Sequence, residues 1–380
     1  MSTTTPDPLI LETIERICRS EIPKYQNEKF YNTVPRALFK VFGDAGLAGL
    51  SVPESFGGIA ASATTCAAAF ELISRYDMGP AIFISVHCMV CGLISRFGSK
   101  EQKATFLPKL ASGEMLGAFA LTEPGAGSDA QSLSTEAAIT ASGYSLKGSK
   151  CYITSAGYAD LYVVFARTAD AAGSGISAFL VSSHVAGMSV GSPEKKMGCE
   201  LSPIASLFFE DTHLPHSALL GPLHQGFKVA LSGLAGGRVN IAACANGLSH
   251  AALDAAVKHL KERKQFGKVL AEFQGLQFMV ADMYTKLEAA RLLTVKAAAD
   301  LDAPSSSVSS TRLSSSVAKC FATDAAMAVT TDAVQLLGGA GYIKEYAVER
   351  YMREAKMLQI VEGANQVQRM IIARDLLGDT

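Results

Sequence analysis

Apolar positions recur along this chain at two different spacings, and the spacing changes twice. From about residue 9 to 111 they fall three or four apart. PRALFKVFGDAGLAGL (35–50) carries that period and ends in glycine, and ATTCAAAFELISRYD (63–77) and SKEQKATFLPKL (99–110) continue it, so this segment predicts helices. Near Leu116 the texture shifts to short β-rich runs: LGAFALTE, TEAAIT, YSLKGSKCYIT, LYVVFART, ISAFLVSS and IASLFFEDTHL. Gly, Ser, Asp and Pro turns separate them, and the series closes around LPHSALLGP (214–222), the pattern of a small β-domain. From about Gly226 the helical period returns. NIAACANGLSHAALDAAVKHLKER and LQFMVADMYTKLEAARLLTVKAAADL run without a breaker proline, and APSSS (303–307) reads as a hinge before the next helix. The expected architecture is a multidomain α+β chain: a helical domain over 1–115, a β-barrel over 116–222 and a helical bundle over 223–380. A barrel between two helical domains leaves crevices at the boundaries, where cofactor sites tend to lie.

Composition narrows this picture. A chain of 380 residues is too long for one ordinary core. Apolar content of 49% against 18% charged predicts sizeable subunit interfaces. A net charge of −1 offers no basic field for nucleic acid. MSTTTPDPLILETIERICRSE has early acids and no apolar core, so it does not read as a secretory or transit peptide. MGPAIFISVHCMVCGLIS (78–95) is the one run that approaches membrane-span length. Pro80, His87 and two glycines within it favour a buried core helix, so no membrane span is expected. Eight scattered cysteines point to a reducing compartment, and Cys88 and Cys91 read as small buried hydrophobes rather than a redox pair. His213 and His216, with Pro215 between them and no second ligand pair nearby, read as a surface loop, so no metal site is expected.

Four stretches carry candidate chemistry. LTEPGAGSD (121–129) packs its breakers into a tight turn. Gly125 and Gly127 let backbone N–H groups approach a ligand, and Thr122 and Ser128 add hydroxyls. CYITSAG (151–157) alternates Tyr152 and Thr154 onto one face, a suitable wall for a planar heterocycle, although a plain polar turn and strand would look similar. No GxGxxG follows a strand, so a Rossmann dinucleotide site is not supported. ERKQFGK (262–268) and LLGGAGY (336–342) each offer groups for a pyrophosphate, the first through Arg263 and the second through backbone amides. Each also reads as an ordinary helix end. In IVEGANQVQR (360–369), Glu362 is the only ionisable side chain between Lys356 and Arg369. It is either a first-turn acid favoured by the dipole of the following helix or a buried base, and charge pattern alone leaves both open.

Taken together, LTEPGAGSD, RKQFG, QLLGGAGYIKEYAVERYMRE and IVEGANQVQR resemble the acyl-CoA dehydrogenase family in order and spacing, over essentially the whole chain. The resemblance implies a helical domain, a β-barrel and a four-helix bundle, in a homotetramer with one FAD per subunit. It implies that Leu121, Thr122, Tyr152, Thr154 and Gln366 hold the cofactor, with Tyr152 where the family often has Trp. Arg263, Phe266, Gln335, Gly338 and Gly339 would reach the FAD of a neighbouring subunit. Ser128, Arg238 and Gly363 would face the substrate, and Glu362 would be the catalytic base. Some relatives, isovaleryl-CoA dehydrogenases among them, carry that Glu immediately before the Arg, where this chain has Gly237. Ala364 departs from the family's usual Thr or Ser.

The implied reaction is α,β-dehydrogenation of an acyl-CoA to the 2-enoyl-CoA, with electrons passed to an external acceptor, electron-transferring flavoprotein being the expected one. The thioester carbonyl would be held by the Glu362 N–H and a flavin ribityl hydroxyl. The stretches 236–267 and 358–369 are most similar to isobutyryl-CoA dehydrogenases, which points to a short, 2-methyl-branched acyl group. The rivals are a same-fold dehydrogenase or oxidase acting on a carrier-protein-tethered acyl group, and a non-catalytic oligomeric scaffold. The expected compartment is the cytoplasm for a bacterial chain, or the mitochondrial matrix for a processed eukaryotic one.

Overall fold

A computed structural model describes residues 5–168, 175–303 and 307–378. The first five helices are α1 (Pro8–Glu21), α2 (Arg36–Asp44), α3 (Ala63–Tyr76), α4 (Met78–Phe97) and α5 (Lys100–Ala111). Local chemistry sets their starts. Asp7 caps α1 ahead of Pro8, Ser62 caps α3, Asp77 caps α4, and Ser99 with Gln102 forms a capping box on α5. Helix α4 is long and apolar enough to cross a membrane, yet 83% of its most apolar window is buried inside the fold, so it is a core helix here. Cys88 and Cys91 are buried on it as free thiols.

The described residues of the middle region form eight strands: β1 (Gly117–Ala120), β2 (Glu136–Thr140), β3 (Gly143–Thr154), β4 (Leu161–Arg167), β5 (Ile176–Ser182), β6 (Met188–Val190), β7 (Ile204–Pro215) and β8 (Leu219–Leu220). They make one mixed sheet in the order β6-β7-β3-β2-β4-β5-β8, with β1 parallel beside β4. This corrects the expected barrel. The ends, β6 and β8, are three and two residues long and do not pair, and β2 meets β4 through the single pair Glu136–Arg167. The sheet therefore curls without a closed ladder. His213 is also corrected: it lies on β7 opposite Ser145, not in a loop, while His216 follows in a single 3-10 turn. Among the described residues no group of three His, Cys, Asp or Glu could hold a metal.

The last part begins with α6 (Gly226–Glu262), a small hairpin of β9 (Lys264–Gln265) and β10 (Lys268–Val269), and α7 (Gln274–Asp302). It continues with α8 (Val308–Leu337), α9 (Val348–Leu358) and α10 (Asn365–Leu377). Among the described residues three long helices form the trunk of this helical domain and two short ones, α9 and α10, follow. The predicted hinge at 303–307 falls largely outside the described residues. The largest apolar core runs from α1–α4 through the inner sheet face to α6 and α8, so the three regions share one interior. Ion pairs cross the same junction, Arg350 to Asp77 at 2.9 Å and Arg353 to Glu200 at 2.9 Å.

Candidate active site

Glu362 sits in the turn between α9 and α10. Ile360 and Val361 still donate backward to the Met357 carbonyl, and then the chain reverses. Glu362 has φ 55° and Gly363 φ 89°, two successive left-handed residues, and only the second is a glycine. A non-glycine residue there is strained and persists only where its surroundings hold it. Three side chains do so. Lys319 Nζ donates to the Gly363 carbonyl at 3.0 Å and to Asn365 Oδ1 at 2.8 Å. Gln368 Nε2 donates to the carbonyls of Glu362 at 3.2 Å and Gly363 at 2.8 Å. Asn365 in turn donates to Thr323 Oγ1 at 2.8 Å and Asp324 Oδ1 at 2.7 Å.

The turn aims the carboxylate at α6. A Cβ placed on Gly237 would lie 2.6 Å from Glu362 Oε2, so the acid fills the space that a side chain at 237 would take. Oε2 is buried without a hydrogen-bond partner. Burial pushes the Glu362 carboxyl up to about 7, against the opposing pull of Arg238 and then Lys319. Arg238, next to Gly237, is buried. Its Nη1 donates to Ser316 Oγ at 3.5 Å, and its Nε has no partner. Burial lowers the Arg238 pKa and the Glu362 charge raises it. The Glu362 backbone N–H makes no hydrogen bond with any described residue. The turn thus presents a desolvated base poised near neutrality and, on the same residue, a free backbone donor.

The second group lies on the sheet. In the 121–129 loop, Glu123 and Ala126 exchange backbone hydrogen bonds at 3.2 and 3.0 Å, closing a four-residue turn over Pro124 and Gly125. Space is open where a Cβ would stand on Gly125 or Gly127. Below it, Lys150 Nζ is fully buried and donates to the Leu121 carbonyl at 3.1 Å and Glu123 Oε1 at 2.7 Å. Glu123 also accepts from the Ser134 N–H, the Ser134 hydroxyl and the Thr135 N–H. Burial alone would raise the Glu123 carboxyl, but these donors outweigh it and bring it to about 2. Burial pulls Lys150 down to about 8; its bond and charge pairing with Glu123 oppose that fall, so it stays charged at neutral pH. The Cys151 N–H bonds the Thr122 carbonyl at 2.9 Å, which ties the loop to the end of β3. There a bulge between Lys150 and Ile153 turns Tyr152 to φ 57° and leaves it 63% exposed, with Thr154 half-buried beyond it. Leu121 is buried, Thr122 half-buried and Ser128 exposed.

The third group stands apart. Arg263 ends α6, and Phe266 tips the β9–β10 hairpin at 93% exposure. Gln335 is exposed near the end of α8, and Gly338 and Gly339 open the 3-10 turn that follows. The hairpin and the turn share an apolar cluster through Leu260, Leu270, Leu336 and Ala340. No hydrogen bond or ion pair links this group to Glu362 or to the 121–129 loop within the described residues. Gln366 is exposed and opens, with Ala364, on a cavity of about 550 Å³ beside the base turn, where Lys356 and Arg369 also lie.

Sequence reading missed Glu123, Lys150, Lys319, Asn365 and Gln368. Glu123 and Lys150 pair across 27 residues and Lys319 and Asn365 across 46, so no local pattern marks them, while Gln368 bonds carbonyls of the turn just before its own helix. Glu354 is a useful contrast. It is fully buried, neither of its carboxylate oxygens has a partner, and burial pushes it up to about 8. Yet it lies within α9 with Gly198 packed on its Cγ, inside the domain junction. A raised pKa alone does not mark a base.

The comparisons with known proteins agree on one family. The N-terminal, middle and C-terminal domain families of acyl-CoA dehydrogenase match residues 6–114, 118–212 and 224–377. An acyl-CoA dehydrogenase of Bacillus subtilis (strain 168) is 43% identical over 383 aligned residues, covering all of both chains. A mitochondrial isobutyryl-CoA dehydrogenase of Dictyostelium discoideum is 42% identical over 94% of this chain and 84% of its own. The solved structure of butyryl-CoA dehydrogenase from Megasphaera elsdenii superposes with a TM-score of 0.93 at 38% identity, covering 99% of this chain and all of that one.

Proposed function

This chain belongs to the acyl-CoA dehydrogenase family, and from that premise we propose that it oxidises a short, 2-methyl-branched acyl-CoA to the 2-enoyl-CoA with Glu362 as the base. It is an FAD-dependent oxidoreductase. The observation that carries the assignment of the base is the Glu362 turn: a buried, unpartnered carboxylate oxygen against Gly237, with a free backbone N–H on the same residue. The short-chain reading rests on the isobutyryl- and butyryl-CoA dehydrogenases among its relatives.

The residues present fit FAD. The open ground over Gly125 and Gly127, the outward Tyr152 and the half-buried Thr154 form a wall with room for a flat ring and nearby backbone donors. Leu121, Thr122, Tyr152, Thr154 and Gln366 would hold the cofactor of their own subunit. Arg263, Phe266, Gln335, Gly338 and Gly339 would serve that of a neighbour in a homotetramer, which accounts for their separation from the other two groups. When bound, FAD supplies the acceptor for the β-hydride. Glu362 takes the α-proton, its backbone N–H binds the thioester oxygen as charge develops, and Gly363 adjoins the thioester. Ser128 and Arg238 complete the substrate side. Electron-transferring flavoprotein is the proposed acceptor. The proposed compartment is the cytoplasm in a bacterium or the mitochondrial matrix in a eukaryote.

The test is anaerobic bleaching of the flavin by butyryl-, isobutyryl-, 2-methylbutyryl-, isovaleryl- and octanoyl-CoA. Isobutyryl- or 2-methylbutyryl-CoA should bleach fastest, and octanoyl-CoA ranking first would overturn the short-chain reading. The bleaching rate should rise with pH through about 7 as Glu362 loses its proton. Glu362→Gln should keep the flavin and lose at least ~10³-fold in rate. Near-normal bleaching in that variant moves the base elsewhere, and a colourless protein that FAD cannot reconstitute removes the enzymatic reading.

A further inference from the structure

Lys319 has no place in the chemistry described so far, yet it is fully buried on α8 and both acceptors of its ammonium belong to the base turn. The Gly363 carbonyl fixes the peptide plane after Gly363. Gln368, bonded to the Glu362 carbonyl, fixes the plane before it. With both planes held, φ and ψ of Gly363 have little freedom. Gln368 is anchored on α10, which begins where the turn ends, and so moves with it. Lys319 comes from a separate long helix and ties the turn to the bundle.

We propose that Lys319 is a positioning residue for the base: by holding the Gly363 carbonyl and the Asn365 side chain, it keeps the 362–365 turn in the conformation that sets the Glu362 carboxylate against Gly237. The role rests on Glu362 being the base. The ammonium has a second effect, because its charge opposes the rise in the Glu362 pKa that burial causes. Burial draws Lys319 itself down to about 8, so it is still charged at pH 7.

The experiment reads proton removal apart from oxidation. A 3-thia-acyl-CoA, with sulfur in place of the β-carbon, can lose only its α-proton, and exchange of that proton with D2O reports the base directly. Lys319→Met removes donor and charge, whereas Lys319→Gln keeps a donor without the charge. In the Lys319→Met holoenzyme, flavin content and the spectral shift on binding the thioester should persist. Exchange should fall roughly 10²-fold, as misplacement of a base by about 1 Å would cause, with KM little changed. The acid limb of exchange against pH should move to higher pH. Lys319→Gln should recover part of the rate but not the position of the limb.

Wild-type exchange and limb in Lys319→Met overturn the proposal, and so does a loss that only tracks flavin content. If Lys319→Met does not accumulate as holoenzyme, Lys319→Gln decides: a wild-type exchange rate there overturns the positioning role whatever the limb does, and a slower exchange with a shifted limb supports it. Glu362→Gln is run beside them. Exchange at the wild-type rate in that variant overturns the assignment of the base itself. Exchange lost there but intact in Lys319→Met overturns only the positioning role.

Discussion

Glu123, buried, and Glu362, half-buried with one carboxylate oxygen fully enclosed, both stand on glycine-containing turns, and their surroundings drive them in opposite directions. Glu123 has an ammonium, two backbone N–H groups and a hydroxyl directed at it, and it stays ionised down to about pH 2. Glu362 has one buried oxygen with no donor at all, and its proton affinity rises to about 7. The first carboxylate holds a loop in place. The second is left unsatisfied, which is costly in a merely structural group and useful in one that must accept a proton near neutral pH. Glu354 shows that an unsatisfied acid is not sufficient. A base also needs a place for its carboxylate, which the missing side chain at Gly237 provides for Glu362, whereas Glu354 is packed against Gly198 inside the domain junction.

The sharpest way to break the contrast is to turn Glu123 into an acid of the other kind. Lys150→Met leaves its carboxylate buried without its cation, and removing one partner of such a pair costs about 3–5 kcal/mol. Denaturant unfolding should show that loss. Because Lys150 also holds the Leu121 carbonyl, flavin should be released more readily. The double variant Glu123→Gln with Lys150→Met should recover much of the stability, since no buried charge is then left alone. If the single variant is as stable as wild type, the pair is not what secures the loop.

The complementary change acts on Glu362 from outside. In Gly237→Ala the new methyl would stand 2.6 Å from Oε2 and 2.9 Å from Cδ, the end of a flexible side chain, so the carboxylate moves rather than the helix. Folding should survive and helix propensity even improves slightly. Bleaching should fall by roughly 10²-fold with flavin retained. Unchanged bleaching would mean that the contact with Gly237 does not place the base.

These two acids also show what local sequence carries and what it lacks. The helical and strand periods were legible because each is a local pattern. The lone acid in IVEGANQVQR stood out for the same reason, and its register with three other motifs pointed to a family. Nothing near Glu362 indicates that Lys319, on another helix, will hold the turn. Nothing near Lys150 reveals full burial, because the bulge before Ile153 interrupts simple alternation there. The barrel was over-read for a related reason: closure depends on whether β6 and β8 meet, which no property of either short strand determines.

Ala364 is where the comparison reaches its finest scale. It occupies the N-cap position of α10 and gives no side-chain cap, so the N–H groups of the first turn lack a hydroxyl that Ser or Thr would supply. A hydroxyl at this position would therefore have a helix-capping use independent of any cofactor contact. Ala364→Ser should stabilise the protein by about 0.5–2 kcal/mol in denaturant unfolding of the flavin-free protein. Ala364 also lines the cavity that holds Gln366, so a hydroxyl there that reaches FAD would add a second effect, a slower release of flavin from the holoenzyme. Stabilisation of the flavin-free protein alone would assign the hydroxyl to the helix. Slower flavin release without that stabilisation would assign it to the cofactor.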